Sequence, residues 1–199
     1  SVPKKYGEVP KSYLLENNGR GFFEDFTGKK AKGLEKIGLV RDAVWIDLNK
    51  DGFQDLVVVG HWMPVTVFIN RQGKLQADKN SALQHTSGLW NTIQVRDLDQ
   101  DGNPDLVLGN WGLNTKFTSS PSQPVQLYLN DFDKNGKQDP VITYFYQNKE
   151  TVFANKDELV KQIPSLNKKF LSYQAFAKAN FNELFTAAQI KQSTVKKID

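Results

Sequence analysis

The sequence predicts a mainly β protein made of repeated antiparallel sheets, followed by a small C-terminal α-helical segment. Three observations lead to this prediction. Nine-residue stretches rich in aspartate begin at residues 47, 97 and 131. Each stretch lies between two short runs of β-branched and aromatic residues, which are typical of strands. After about Thr151 the pattern changes to helical spacing with helix-capping residues.

The three Asp-rich stretches share the pattern D-x-[DN]-x-[DN]-G-x-x-D, and they hold ten of the 22 acidic residues. Oxygen-bearing side chains at positions 1, 3 and 5 of a tight loop converge on one point, and calcium binds about six to eight oxygens. Glycine at position 6 permits the sharp turn. The carbonyl of position 7 and the aspartate of position 9 add further ligands. Crowded carboxylates repel one another unless a cation offsets their charge.

The predicted metal ligands follow from this pattern. They are Asp47, Asn49, Asp51, Phe53 and Asp55 in loop 1 (residues 47–55), Asp97, Asp99, Asp101, Asn103 and Asp105 in loop 2 (residues 97–105), and Asp131, Asp133, Asn135, Lys137 and Asp139 in loop 3 (residues 131–139). The three position-7 residues would contribute backbone carbonyls. Up to three calcium ions are expected, and loop 2 should bind most tightly because it alone has four carboxylates. The competing interpretation is plain Asp/Gly-rich turns without metal, which a threefold match disfavours.

An EF-hand would place similar residues at the start of its loop, and the flanking sequence excludes it. An EF-hand needs a bidentate Glu at position 12 and a helix on each side. Position 12 is Val58, Leu108 or Ile142 here, and strand-like runs both precede and follow each loop. Each loop is therefore predicted to join two strands.

The strands around loop 1 predict a four-stranded antiparallel unit. A turn at 71–73 leads into a short fourth strand after three strand patterns, which cover residues 43–47, 54–60 and 65–70. Four short strands in about 50 residues are typical of a β-propeller blade. An earlier hairpin at 13–26 is interpreted as the outer part of a preceding blade. Residues 1–153 are thus predicted to form a partial β-propeller of about three four-stranded blades, which closes no ring by itself.

The residues after 153 predict helices that pack on the blades. Asn155 is placed as the cap of a helix that ends before Pro164. Residues 164–179 carry apolar side chains at helical spacing. Asn180 and Glu183 form a capping box that begins a third helix. The predicted division is therefore 1–153 for the blades and 154–199 for the helical segment, with no closing strand after the helices.

Several of these motifs resemble the VCBS/FG-GAP repeat family, whose blades also build integrin α-subunit propellers. The resemblance covers about residues 10–150 and includes the Asp-loops, the Asn-Asn-Gly-Arg-Gly-Phe-Phe hairpin and Val-Phe-Ile-Asn before a glycine turn. The run 106–115 is similar to a block in large exported VCBS-repeat proteins of the Bacteroidetes type. Departures are the missing Phe-Gly/Gly-Ala-Pro signature, Asn49 and Asn135 in place of Asp, and Pro140 in place of Leu. The resemblance implies calcium on the blades, an exported or cell-surface protein, and repeats without catalysis.

Composition and the remaining motifs narrow the function classes. The chain has no cysteine, its two histidines lack metal-ligand spacing, and nucleophile-elbow, phosphate-loop and zincin patterns are absent, so no enzyme activity is expected. The net charge of +4 is spread over short lysine pairs, which disfavours a nucleic-acid partner. No apolar run has the length of a membrane span. Residues 1–5 lack the apolar core of a signal peptide, which suits a trimmed or mature segment.

The expected function is that of a calcium-binding β-propeller segment in a larger extracellular, periplasmic or cell-surface protein. It would act as a scaffold or as a ligand-binding, adhesion-type module. Its partners would be calcium, a protein or glycan ligand, and the remaining blades of the full-length protein. The alternative is a glycan-binding or glycan-processing module that uses exposed tryptophans. Trp62, Trp90 and Trp111 are the candidates, although packing is the better expectation for them.

Overall fold

The structure is a computed structural model that describes residues 6–111 and 115–198. The chain divides into two compact units, one formed by Val9–Gly112 and the other by Ser1–Glu8 together with Leu113–Asp199. The domain boundary predicted between residues 153 and 154 falls inside the second unit and stays a prediction. Residues 112–114, which belong to the block with the Bacteroidetes-type resemblance, lie outside the described residues.

The first unit is mainly β, as the sequence predicts. Its elements are β1 (Leu15–Asn17), β2 (Phe23–Asp25), α1 (Thr27–Lys30), β3 (Leu39–Ile46), β4 (Asp55–Met63), β5 (Thr66–Arg71), β6 (Lys74–Ala77), a 3-10 turn (Ala82–His85), β7 (Gly88–Arg96) and β8 (Asp105–Asn110). β1 and β2 form the predicted N-terminal hairpin. β3, β4, β5 and β6 form an antiparallel meander in which each strand pairs with the next. This meander confirms the four-stranded unit predicted around loop 1.

Two further strands extend this sheet. β7 pairs with the end of β4, where Leu89 lies opposite His61, and β8 pairs with β7 along its whole length. The second loop is therefore followed by β8 alone, without counterparts of β5 and β6 in the described part of this unit. The structure confirms antiparallel sheets, which the described residues do not close, whereas the division into about three four-stranded propeller blades stays a prediction.

The central strand β4 is buried on both faces. Side chains alternate across a strand, so successive residues of β4 belong to two different core clusters. Leu56 and Val58 pack with Leu34 and Phe68 beneath the N-terminal segment. The intervening residues, of which Val57 is fully buried, face the opposite way and pack with residues of β5 and β7. This two-sided burial explains why the run after loop 1 is almost continuously apolar.

The second unit is a four-stranded sheet covered by short helices. Its elements are β9 (Val125–Asn130), β10 (Asp139–Tyr146), β11 (Lys149–Val152), α2 (Lys156–Gln162), α3 (Ser165–Lys169), α4 (Tyr173–Lys178), α5 (Phe181–Leu184), α6 (Ala187–Gln192) and β12 (Thr194–Ile198). The strand order is β11-β10-β9-β12, and all pairs are antiparallel. Tyr128 and Val141 of this sheet and Phe132 of loop 3 share one core cluster with Phe181 and Phe185 of the helical segment.

The helical segment is more divided than the sequence predicts. The expected helix over 164–179 is two helices, because the Ser172 side chain accepts a hydrogen bond from the N–H of Ala175 and starts α4 anew. The third helix is also split. The Asn180 capping box begins α5 as predicted, and a second capping box at Thr186 and Gln189 begins α6. A side-chain cap inside an apolar pattern thus ends one helix and begins another.

The prediction that no strand follows the helices is wrong. β12 pairs with β9 from Thr194 opposite Leu129 to Ile198 opposite Val125. Its sequence alternates poorly and holds two adjacent lysines, Lys196 and Lys197, so the strand pattern is weak. Among the described residues, no helix is both long enough and apolar enough to cross a bilayer.

Candidate metal centre

The three Asp-rich loops share one backbone conformation. Each joins two antiparallel strands: loop 1 links β3 to β4, loop 2 links β7 to β8, and loop 3 links β9 to β10. The position-4 residues Lys50, Gln100 and Lys134 all lie in the left-handed region, with φ of 58°, 61° and 60°. The position-6 glycines also have positive φ, between 80° and 86°. Glycine adopts this conformation without strain, which explains its presence at position 6 of every loop.

The aspartates at positions 1 and 9 hold the backbone of each loop. The position-6 N–H donates to the position-1 carboxylate, at 2.9 Å in loop 1, 3.0 Å in loop 2 and 2.7 Å in loop 3. The position-2 N–H donates to the position-9 carboxylate, at 3.0, 2.8 and 3.1 Å in the same order. These bonds fix the two ends of each loop against each other.

The side chain at position 5 accepts a hydrogen bond from the N–H at position 7 in every loop. The acceptors are Asp51, Asp101 and Asn135, at 2.9, 2.7 and 2.9 Å. This bond orients the peptide of position 7, whose carbonyl is a predicted ligand. In loop 2 the side-chain amide of Asn103 donates a second bond of 2.7 Å to Asp101.

Two of the loops bring three carboxylates together. Oxygen atoms of Asp97, Asp99 and Asp105 all lie within 4.8 Å of one another, and so do oxygen atoms of three carboxylates in loop 3, namely Asp131, Asp133 and Asp139. Two oxygens bound at 2.3–2.6 Å to one calcium ion are at most about 5 Å apart. Positions 1, 3 and 9 of loops 2 and 3 therefore already have a separation suited to a shared cation.

Loop 1, all of which the structure describes, lacks this arrangement of three carboxylates, and position 5 of loop 2 lies outside it. Loop 1 has Asn49 at position 3, and in the described residues its carboxylates form no such group of three. The amide of Asn49 instead donates to Asp51 at 3.0 Å. In loop 2 the predicted ligand Asp101 lies outside the group of three, and both of its oxygens accept bonds from Asn103. Asp101 would have to release or share one of these oxygens to contact an ion.

Burial and neighbouring charge perturb the carboxylates of these loops. The pKa of Asp139 is raised to about 6, mainly by burial; the N–H of Phe132 acts against this rise, and the carboxylates of Asp133 and Asp131 add to it. The pKa of Asp101 is lowered, first by the side-chain amide of Asn103 and then by its backbone N–H. Loop 3 is thus the more buried acidic site, and loop 2 the more exposed one.

His61 and the three candidate tryptophans, Trp62, Trp90 and Trp111, lie outside the loops and pack within the first unit. His61 is within hydrogen-bond distance of Asn91, 3.0 Å from Nε2 to Oδ1, and its ring meets Trp111 edge-on at 6.1 Å. Trp62 is buried, and the indole N–H of Trp90 donates to the carbonyl of Thr86 at 2.8 Å. Trp111 is half-exposed. The three tryptophans therefore do not form a common exposed surface.

Sequence reasoning missed one aromatic feature of the first unit. Trp45 on β3 is 49% exposed and, together with Tyr13, lines a shallow groove of about 210 Å³ over Leu56 and Val58. The alternation of β3 could have indicated it, because Val44 and Ile46 face the core and Trp45 faces the other way.

Comparisons of the chain with curated proteins and with solved structures give no match. The family model of the FG-GAP-like repeat matches residues 47–108, and so supports an FG-GAP/VCBS-type repeat in the part of the chain that carries loops 1 and 2.

Proposed function

We propose that this chain is a calcium-binding segment of a β-propeller in a larger exported or cell-surface protein. It acts there as a scaffold or as a ligand-binding, adhesion-type module, and it has no catalytic activity of its own. The observation that carries the proposal is the common geometry of the three loops, in which the same positions make the same hydrogen bonds. The FG-GAP-like repeat adds support for an extracellular-type, β-rich repeat module.

The chemistry of the donor set favours calcium. Each loop offers oxygens only: side chains at positions 1, 3, 5 and 9 and the carbonyl at position 7. Thiolate and imidazole, which zinc prefers, are absent from the loops. Calcium accepts six to eight oxygens in flexible geometry, whereas magnesium requires a strict octahedron with shorter bonds. A loop of nine residues with mixed carboxylate, amide and carbonyl oxygens suits the larger ion.

A bound ion would fasten the two strands on either side of a loop. In loop 3, Asp131 follows β9 and Asp139 begins β10, so one ion on both carboxylates would hold the two strands together. An ion that binds only the folded chain at about 100 times its Kd stabilises it by about 2.7 kcal/mol. The proposed role of calcium is therefore structural.

The test is a calcium titration of the full chain by calorimetry, paired with thermal unfolding in calcium, magnesium and EDTA. Calcium should raise Tm, chelation should lower it, and magnesium should have a smaller effect. Asp101→Ala should weaken calcium binding more than Asn49→Ala, because it removes a charged ligand. No heat at millimolar calcium together with a Tm unchanged by EDTA would refute the site.

Catalysis and the glycan alternative are tested separately. We propose no turnover, because the organised carboxylates of loops 2 and 3 are assigned to metal. Release of reducing sugar from a polysaccharide, lost on mutation outside the loops, would overturn this. A glycan-binding surface would need tryptophans exposed together, and Trp62 is buried. A glycan array probed with and without calcium distinguishes the adhesion-type role from a plain scaffold.

A protein or glycan ligand and the remaining blades of the full-length protein are the proposed partners, and the proposed location is extracellular, periplasmic or at the cell surface. The lysine pairs are scattered along the chain, which does not support a nucleic-acid partner.

A further inference from the structure

Loops 1 and 2 are joined by one side chain. The ammonium group of Lys50, at position 4 of loop 1, donates a hydrogen bond of 2.7 Å to the side-chain oxygen of Asn103, at position 7 of loop 2. The two residues are 53 positions apart in the chain and lie in the same compact unit. Asn103 in turn donates to Asp101 through both its backbone N–H and its side-chain amide, each at 2.7 Å. A positive charge from loop 1 is thus tied to the acidic loop 2.

The position of Lys50 is set by its own loop. Its φ of 58° belongs to the left-handed turn shared by all three loops, so its side chain leaves the backbone in a direction that the loop 1 conformation fixes. Loop 2 has the neutral Gln100 at the equivalent position, and loop 3 has Lys134. The structure gives Lys134 no hydrogen bond or ion pair within the described ranges, which makes it a matched residue without the connection.

We propose that Lys50 is an electrostatic regulator of loop 2, lowering the affinity of that loop for calcium while connecting it to loop 1. This inference rests on the proposed function, because it assumes that loop 2 binds the ion. It does not assume that Lys50 is a ligand, since an ammonium group has no lone pair to offer.

Lys50 has two opposite effects on the calcium affinity of loop 2, and the larger effect determines whether that affinity rises or falls. As a positioning residue, Lys50 holds the side chain of Asn103. The backbone carbonyl of Asn103 is a predicted ligand, so this contact would raise the calcium affinity of loop 2. As a charge, it repels a doubly charged ion, and this lowers affinity. An exposed hydrogen bond contributes little, whereas repulsion by a nearby charge changes the affinity about threefold at low ionic strength. The repulsion therefore dominates.

The experiment follows each loop separately by NMR. The N–H groups of Gly52, Gly102 and Gly136 each donate to the position-1 carboxylate of their own loop, so their amide signals report calcium at loops 1, 2 and 3 individually. Calcium chloride is titrated into the wild-type chain of 199 residues and into its variants Lys50→Gln, Lys50→Arg and Lys134→Gln. Both glutamine variants place at position 4 the residue that loop 2 has naturally.

Lys50→Gln should raise the calcium affinity read at Gly102 about threefold at an ionic strength of about 0.01 M, and most of this gain should vanish at about 1 M salt. Lys50→Arg and Lys134→Gln should leave the Gly102 titration unchanged. An unchanged or lower affinity at Gly102 in Lys50→Gln would overturn the inference. Absence of any calcium-dependent shift at the three glycines of the wild-type chain would instead refute the proposed function, so the two failures are distinguishable.

Discussion

The carboxylate of Asp55 accepts a hydrogen bond of 2.7 Å from the backbone N–H of Asn70, near the end of β5. Its other oxygen accepts the N–H of Leu48 at 3.0 Å. Asp55 is fully buried, and one side chain thereby joins the start of loop 1 to the third strand of the meander. Asp105, its counterpart in loop 2, is only partly buried and bonds Leu98.

Asp55→Asn should therefore destabilise the chain more than Asp105→Asn. The amide keeps one acceptor but turns a donor toward one of the two part-buried N–H groups that Asp55 binds, which costs about 1–3 kcal/mol. Denaturant unfolding in EDTA measures this difference without any contribution from metal. Equal losses for the two variants would show that the bond from Asn70 contributes nothing to stability.

Stability should depend on the ionisation of Asp42 at acid pH. The N–H of Ile93 donates to its carboxylate at 3.0 Å, and this bond is the main cause of the lowered pKa of Asp42. A carboxyl group whose pKa is lower in the folded chain stabilises the fold at pH values above its unfolded pKa of about 3.9. This stabilisation is lost as the pH falls through the lower pKa of the folded chain.

The comparison of wild type with Asp42→Asn tests this directly. The wild type should be more stable by about 1 kcal/mol or less near neutral pH, and the difference should shrink below about pH 4. Unfolding midpoints across this range measure it. A difference that stays constant down to about pH 2 would contradict the role given to the charged form.

Gly60→Ala should disrupt the pairing of β3 with β4. A methyl group at this position would lie 2.2 Å from the carbonyl oxygen of Leu39, a backbone atom that cannot move aside cheaply. We expect the free energy of unfolding to fall by about 1–3 kcal/mol or more. Gly28→Ala is the control, because nothing lies within 4 Å of the added methyl group and Gly28 is in a helix. A Gly60→Ala chain as stable as the control would contradict the structure of this pair.

Phe181→Ala should unfold the helical cover of the second sheet. Phe181 is 1% exposed and packs on Tyr128 at 4.4 Å and on Phe185 at 5.4 Å between ring centroids. Truncation of a buried phenylalanine costs about 3–5 kcal/mol. Leu171→Ala, at a side chain that is 86% exposed, should change stability by less than about 0.5 kcal/mol. Similar losses for both variants would mean that the helices do not form one core with the sheet.

The sequence predicts the three loops and the strands beside them well, because their signals are local. Alternation and β-branched runs locate β3, β4 and β5, and the glycine at position 6 fixes the turn of each loop whatever lies around it. The helical segment is harder to predict. Its apolar spacing continues across Ser172 and Thr186, where side-chain caps interrupt the helices.

The details of the candidate site depend on contacts that no local pattern encodes. The spacing of loop 2 predicts that Asp101 is a ligand like the other aspartates. In the structure both of its carboxylate oxygens accept hydrogen bonds from Asn103. The bond from Lys50 to Asn103 joins residues 53 positions apart. Such a contact depends on how β7 lies against β4, which is a property of the sheet and not of either loop.

The pairing of β12 with β9 has a consequence for synthesis. Residues 194–198 leave the ribosome about 70 residues after their partners at 125–129. At about 5–20 residues per second, β9 therefore waits about 4–14 s with one edge unpaired. An unpaired edge is a template for strands of other chains. The yield of soluble chain should consequently depend on how fast the helical segment is translated, and slowing translation there would favour association between nascent chains.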